Sequence, residues 1–139
     1  MMQLGAYFAG LAIENSMLGA AHATANPLTA RYGVTHGQAV GVMLPSVIRF
    51  NAQQCCAEYY QLLREVDPEV PESDAAERLA TLMKDLLRKS QLATSLSELS
   101  VTADQYEQLS ADALKQWTGN FNPVSLTEEG VVDLYRSAT

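Results

Sequence analysis

From Met2 to Ala25 the chain is apolar on almost every side of a helical wheel. Leu4, Phe8, Leu11 and Leu18 recur at helical spacing, and His22 follows on the same side. A neighbouring stripe of small residues runs through Gly5, Ala9, Ala12, Ser16, Gly19 and Ala23. The pattern predicts one long helix, buried on several sides, whose small-residue stripe lets a second helix approach closely. Asn26-Pro27 predicts its end, because a residue before proline is pushed out of the α region. Pro27 to Val34 then reads as a loop.

Thr35-His36-Gly37-Gln38 has the spacing of a capping box and opens a second apolar helix running towards Asn51, with a kink expected at Pro45. Further helices are predicted over Cys55 to Glu65 and after Ser73, the latter with Leu79, Leu82, Met83, Leu86 and Leu87 on one face. Another follows Thr102-Ala103-Asp104-Gln105 and closes at Thr118-Gly119, and a last one begins at Thr127 with Glu128 and Glu129 in its first turn. No stretch alternates like a strand. The expected fold is all-α, a helical bundle forming one domain over residues 1–139.

Charge sharpens this picture. The first fifty residues carry only Glu14, Arg31 and Arg49, whereas the remaining eighty-nine carry twenty-two charged side chains. The first third is therefore expected inside and the remainder as an amphipathic shell. Overall composition, 47% hydrophobic and 18% charged in 139 residues, is that of a globular domain. A net charge of −7 with nine scattered Lys and Arg excludes a nucleic-acid footprint and an anionic membrane surface as partners. The apolar start is too short to span a bilayer and lacks a basic flank. With the adjacent thiols Cys55 and Cys56 expected reduced, the chain reads as cytoplasmic.

Candidate chemistry is confined to the two histidines, His22 and His36, both in the least charged third. On one unbroken helix they would stand about 21 Å apart. A break at Pro27 lets the chain turn and bring both rings to one cavity. The positive end of a helix, where His36 sits, favours neutral imidazole, the form that binds metal. Spacing alone leaves the pair open between metal ligands and satisfied core or capping residues.

A longer pattern is more specific. The run from Ala9 to Leu28 (AGLAIENSMLGAAHATANPL), with Gly33 to Ala39 (GVTHGQA) and Leu44-Pro45, resembles the signature of iron-containing alcohol dehydrogenases. Asn122-Pro123 followed by Thr127-Glu128 is similar to that family's C-terminal Asn-Pro element. The resemblance implies the helical C-terminal part of such an enzyme, moving hydride between a small alcohol or aldehyde and NAD or NADP. It implies a divalent metal, iron(II) or zinc(II), held by one aspartate and three histidines, two of which are matched by His22 and His36. That donor set suits either ion, with an open position for substrate oxygen.

The sequence departs from the family pattern in two ways. Asn26 stands where the signature carries a further histidine, and asparagine cannot relay a proton. The family's Asp-x3-His pair and its dinucleotide-binding domain lie upstream of this region. Glu14 is about 12 Å along the helix from His22 and cannot replace the missing carboxylate. The expectation is half a metal site, inactive alone, that needs a separate N-terminal domain or a homo-oligomer. The alternative is a non-catalytic helical interaction module that keeps the family fold.

Overall fold

The computed structural model describes residues 2–139; Met1 lies outside them. It contains six α-helices: α1 (Met2–Ser16), α2 (Ala20–Tyr32), α3 (His36–Leu63), α4 (Ala75–Lys89), α5 (Tyr106–Ala113) and α6 (Glu128–Ser137). Short 3-10 turns at Glu72–Asp74, Ser97–Leu99, Ala103–Gln105 and Trp117–Phe121 connect them. No strand occurs among the described residues. The all-α bundle expected from the sequence is the fold observed.

The first helix differs from expectation. Residues 2–25 form two helices, not one, separated at Met17, which adopts a left-handed φ of 77°. Asn15 and Ser16 turn their side chains back onto the carbonyls of Leu11 and Ala12, local bonds that compete with helix continuation. Gly19 adds a residue with high backbone entropy, and the helix restarts at Ala20. Nor is α1 interior: none of its residues is buried, and Met2, Tyr7 and Phe8 are 89%, 61% and 58% exposed. Gly5 and Gly10 have nothing against them. The α1 part of the small-residue stripe is thus exposed, whereas Gly19 packs on Asn122 and Ala23 of α2 is fully buried.

Pro27 does not end α2. The helix passes through it and stops at Gly33, whose φ of 65° and amide bond to the Thr29 carbonyl form a left-handed cap. An internal proline costs about 3 kcal/mol. Burying Leu28 alone returns about 1.5–3 kcal/mol, and Ala23, Ala25 and Pro27 are buried with it. Packing outweighs the local signal.

In α3 the expected kink also moves. Pro45 lies within the helix, while the non-helical dihedrals fall at Cys55 (φ −118°, ψ 20°), so α3 is two helical segments meeting at a kink where the separate helix from Cys55 was expected to begin. Two expected caps are absent: the hydroxyls of Thr35 and Thr102 make no capping bond. The Ser73 hydroxyl donates to the neighbouring Asp74 carboxylate and caps no helix. Thr127 does cap α6, accepting from the Gly130 amide at 3.1 Å. The helix expected to close at Thr118-Gly119 ends at Ala113, and those residues sit in a 3-10 turn.

Two apolar clusters hold the bundle. The larger gathers Leu28, Met43, Leu109 and Tyr135 from α2, α3, α5 and α6, and the smaller packs Ile48 and Leu63 of α3 against Leu79 of α4. Gly41 lets α4 close onto α3, since a Cβ there would lie 2.9 Å from the Leu87 side chain. The same pair of helices is joined by Arg49, whose guanidinium donates two bonds to the Glu77 carboxylate at 2.6 and 2.7 Å.

That fork holds the Glu77 carboxyl below its ordinary range, chiefly through the Arg49 hydrogen bonds. A depressed folded-state pKa contributes stability above the unfolded value and loses it as pH falls through the folded one. Glu77→Gln is therefore expected to cost under about 1 kcal/mol at pH 7, because the pair is exposed. Urea melts of the two proteins should converge as the pH falls below the ordinary carboxylate range.

Candidate metal-ligand site

His22 is the third residue of α2 and half-buried; His36 is the first residue of α3 and exposed. The three-residue connection after Tyr32 folds α3 back, so the ring centroids lie 5.3 Å apart with planes tilted by 48°. Burial lowers the His22 pKa, and proximity to His36 lowers it further. The ring is thereby held as neutral imidazole with a lone pair available.

Two imidazoles at this separation fit the borderline-soft chemistry of iron(II) or zinc(II). They supply half of a tetrahedral donor set. No cluster of three or more His, Cys, Asp or Glu side chains able to hold a metal occurs among the described residues.

Asn26 lies one helical turn beyond His22. Its amide donates to Gln116 Oε1 at 2.9 Å, and it lines a cavity of about 310 Å³ with Arg31, Asp112 and Gln116. Asn26 is thus engaged with the segment after α5. Arg31 and Lys115 both pair with Asp112 beside it and depress that carboxyl's pKa, Arg31 most strongly.

Two residues that the sequence did not mark as functional organise this end of the bundle. Asn122, in the segment before α6, accepts from the Ala20 amide at the start of α2. It also pairs with Asn51 of α3. Tyr135 of α6 donates to the Thr24 carbonyl of α2 at 2.8 Å. Asn122-Pro123 was visible as a motif, but its contact lies 102 positions away in sequence, beyond any local spacing.

Comparison with known proteins places these features in a family. The profile described as Fe-containing alcohol dehydrogenase family, C-terminal, matches residues 1–139. The lactaldehyde reductase of Escherichia coli is 31% identical over 144 residues, covering 99% of this chain and 37% of that protein. Alcohol dehydrogenase 4 of Saccharomyces cerevisiae is 32% identical over 133 residues, covering 95% of this chain and 34% of that one. A crystal structure of 1,3-propanediol oxidoreductase superposes with a TM-score of 0.85 at 28% identity, covering 94% of this chain and 35% of the other. The chain spans about a third of the length of the relatives it matches.

Proposed function

This chain belongs to the Fe-containing alcohol dehydrogenase family, as its C-terminal part, and on that premise we propose that it supplies the helical half of an alcohol dehydrogenase or aldehyde reductase site. The observation that carries the proposal is the facing pair of imidazoles, His22 and His36, 5.3 Å apart at the junction of two helices. In this reading the two rings hold a divalent iron or zinc ion, and the remaining ligands, a carboxylate and a third imidazole, come from an upstream helix. The bound ion would polarise the alcohol or aldehyde oxygen so that hydride can pass to or from a nicotinamide. NAD or NADP would be bound by an N-terminal domain, since no glycine-rich phosphate loop is present in these 139 residues.

What this chain's own residues do follows from their setting. Burial keeps His22 neutral, so a metal need not displace a proton there. Asn26 replaces the further histidine of the signature and is tied to Gln116, so it holds a hydrogen bond and moves no proton. No helix of the described residues is long and apolar enough to cross a membrane. We propose a reducing, cytoplasmic setting, in which Cys55 and Cys56 stay free thiols.

The test is a zinc titration of the 139-residue chain, repeated on His22→Ala and His36→Ala. Weak binding that either substitution removes is the expected result. Full retention of affinity in either variant excludes that histidine as a ligand, and tight stoichiometric binding by the chain alone overturns the incomplete-site reading. The isolated chain is expected to show no NAD(P)H turnover with short aldehydes.

A second reading, a helical module that associates through α1, is favoured by that helix's exposed Met2, Tyr7 and Phe8. Apolar side chains at this density mark an interaction face. Sedimentation over a range of concentrations is expected to show self-association that Phe8→Glu abolishes; a monomer throughout rejects this reading.

A further inference from the structure

Helix α2 starts without a cap of its own. Gly19 occupies the capping position and offers no side-chain acceptor. The Ala20 amide donates instead to Asn122 Oδ1 at 3.1 Å. The same oxygen accepts from Asn51 Nδ2 at 3.0 Å, while Asn122 Nδ2 donates to Asn51 Oδ1 and to the Val124 carbonyl, both at 2.7 Å. Every polar atom of the Asn122 amide is thereby engaged. Asn51 is itself 5% exposed, set on α3 about 22 Å along the axis from His36.

The close approach depends on glycine. A Cβ on residue 19 would stand 3.0 Å from Asn122 Oδ1 and 3.5 Å from Asn122 Cα. The contact therefore involves backbone on one side and a fully bonded amide on the other, neither of which yields easily. One side chain joins the start of α2, two residues before His22, to the helix that begins with His36.

We propose that Asn122 is a positioning residue for the histidine pair, fixing the start of α2 against α3 so that the two imidazoles keep their facing geometry. The proposal rests on the reading of His22 and His36 as metal ligands. Asn122 acts through the backbone of α2 and through Asn51, and makes no contact with the ion. Loss of groups that orient metal ligands typically costs 10–100-fold in affinity.

Zinc titration of the full 139-residue chain, combined with amide hydrogen exchange, tests it. Asn122→Ala is expected to weaken zinc binding about tenfold and to speed exchange at Ala20 to Ala23 while leaving α4 protected. Asn122→Asp keeps the acceptor for the Ala20 amide and is expected to recover that protection and most of the affinity. Gly19→Ala, which pushes the amide away, should reproduce the alanine effect, and it provides a second route should Asn122→Ala fail to fold.

Leu134→Ala, a cavity in α6 that leaves the amide in place, controls for general destabilisation and is expected to change affinity less than twofold. Wild-type affinity in both Asn122→Ala and Gly19→Ala overturns the proposal, as does an equal loss in Leu134→Ala. If His22→Ala itself leaves zinc binding intact, the underlying ligand reading has failed, a result distinguishable from either.

Discussion

Tyr135→Ala is expected to destabilise the fold by about 3–5 kcal/mol, the range for removing a buried aromatic side chain. Tyr135 is fully buried in α6, stacks on Tyr106 of α5 with ring centroids 6.0 Å apart, and donates its hydroxyl to the Thr24 carbonyl of α2. Burial pushes the phenol's ionisation far above its ordinary value, so it remains a donor wherever the protein is folded. Truncation removes a ring from the junction of three helices and one hydrogen bond as well. Against a typical domain stability of about 5–15 kcal/mol, the melting temperature should fall by about 10–20 °C. Tyr135→Phe keeps the ring and should cost only about 1 kcal/mol. A calorimetric shift below about 3 °C for the alanine variant would show that the core closes over the gap.

His36→Ala is expected to lower zinc affinity by about 100-fold or more, at the upper end of effects seen for groups one step removed from a metal. His22→Ala should do the same. With two protein ligands, removing one leaves a single imidazole and destroys chelation. The two variants differ in what else they disturb. His36 is exposed at the first position of α3, so its loss should change stability by under about 0.5 kcal/mol. His22 is half-buried, and its replacement also opens space beside α2. Equal losses of affinity with unequal losses of stability would separate ligation from packing. Unchanged affinity in His36→Ala would falsify the chelate.

The elements the sequence announced well were those governed by their own residues. Thr127, Glu128 and Glu129 mark the start of α6 through a local hydroxyl bond and acids in the first turn, and both signals act within one turn of backbone. On α4 the expected apolar face is buried at Leu79 and Leu87, while Leu86 is exposed. The misread elements were governed by distant ones. Pro27 should have ended a helix, yet α2 continues because Leu28 and its neighbours are buried by α3, α5 and α6. Composition placed α1 inside, but apolarity reports what a helix can bury against, and none of the described residues covers it. The histidine pair falls between these cases. Spacing showed only that the two rings could meet after a turn, resemblance named them as ligands, and the fold supplies the 5.3 Å separation.

The bonds from Ala20 to Asn122 and from Thr24 to Tyr135 span 102 and 111 residues, which sets the order in which the protein can be made. At about 5–20 residues per second on the ribosome, Thr24 waits about 6–20 s for its tyrosine. Throughout that interval the histidine-bearing α2 exists without the segments that fasten it. Within these residues the histidine pair is thus translated well before the segment that braces the start of α2. A nascent chain stalled before Asn122 would hold the histidine pair only through the packing of α2 on α3.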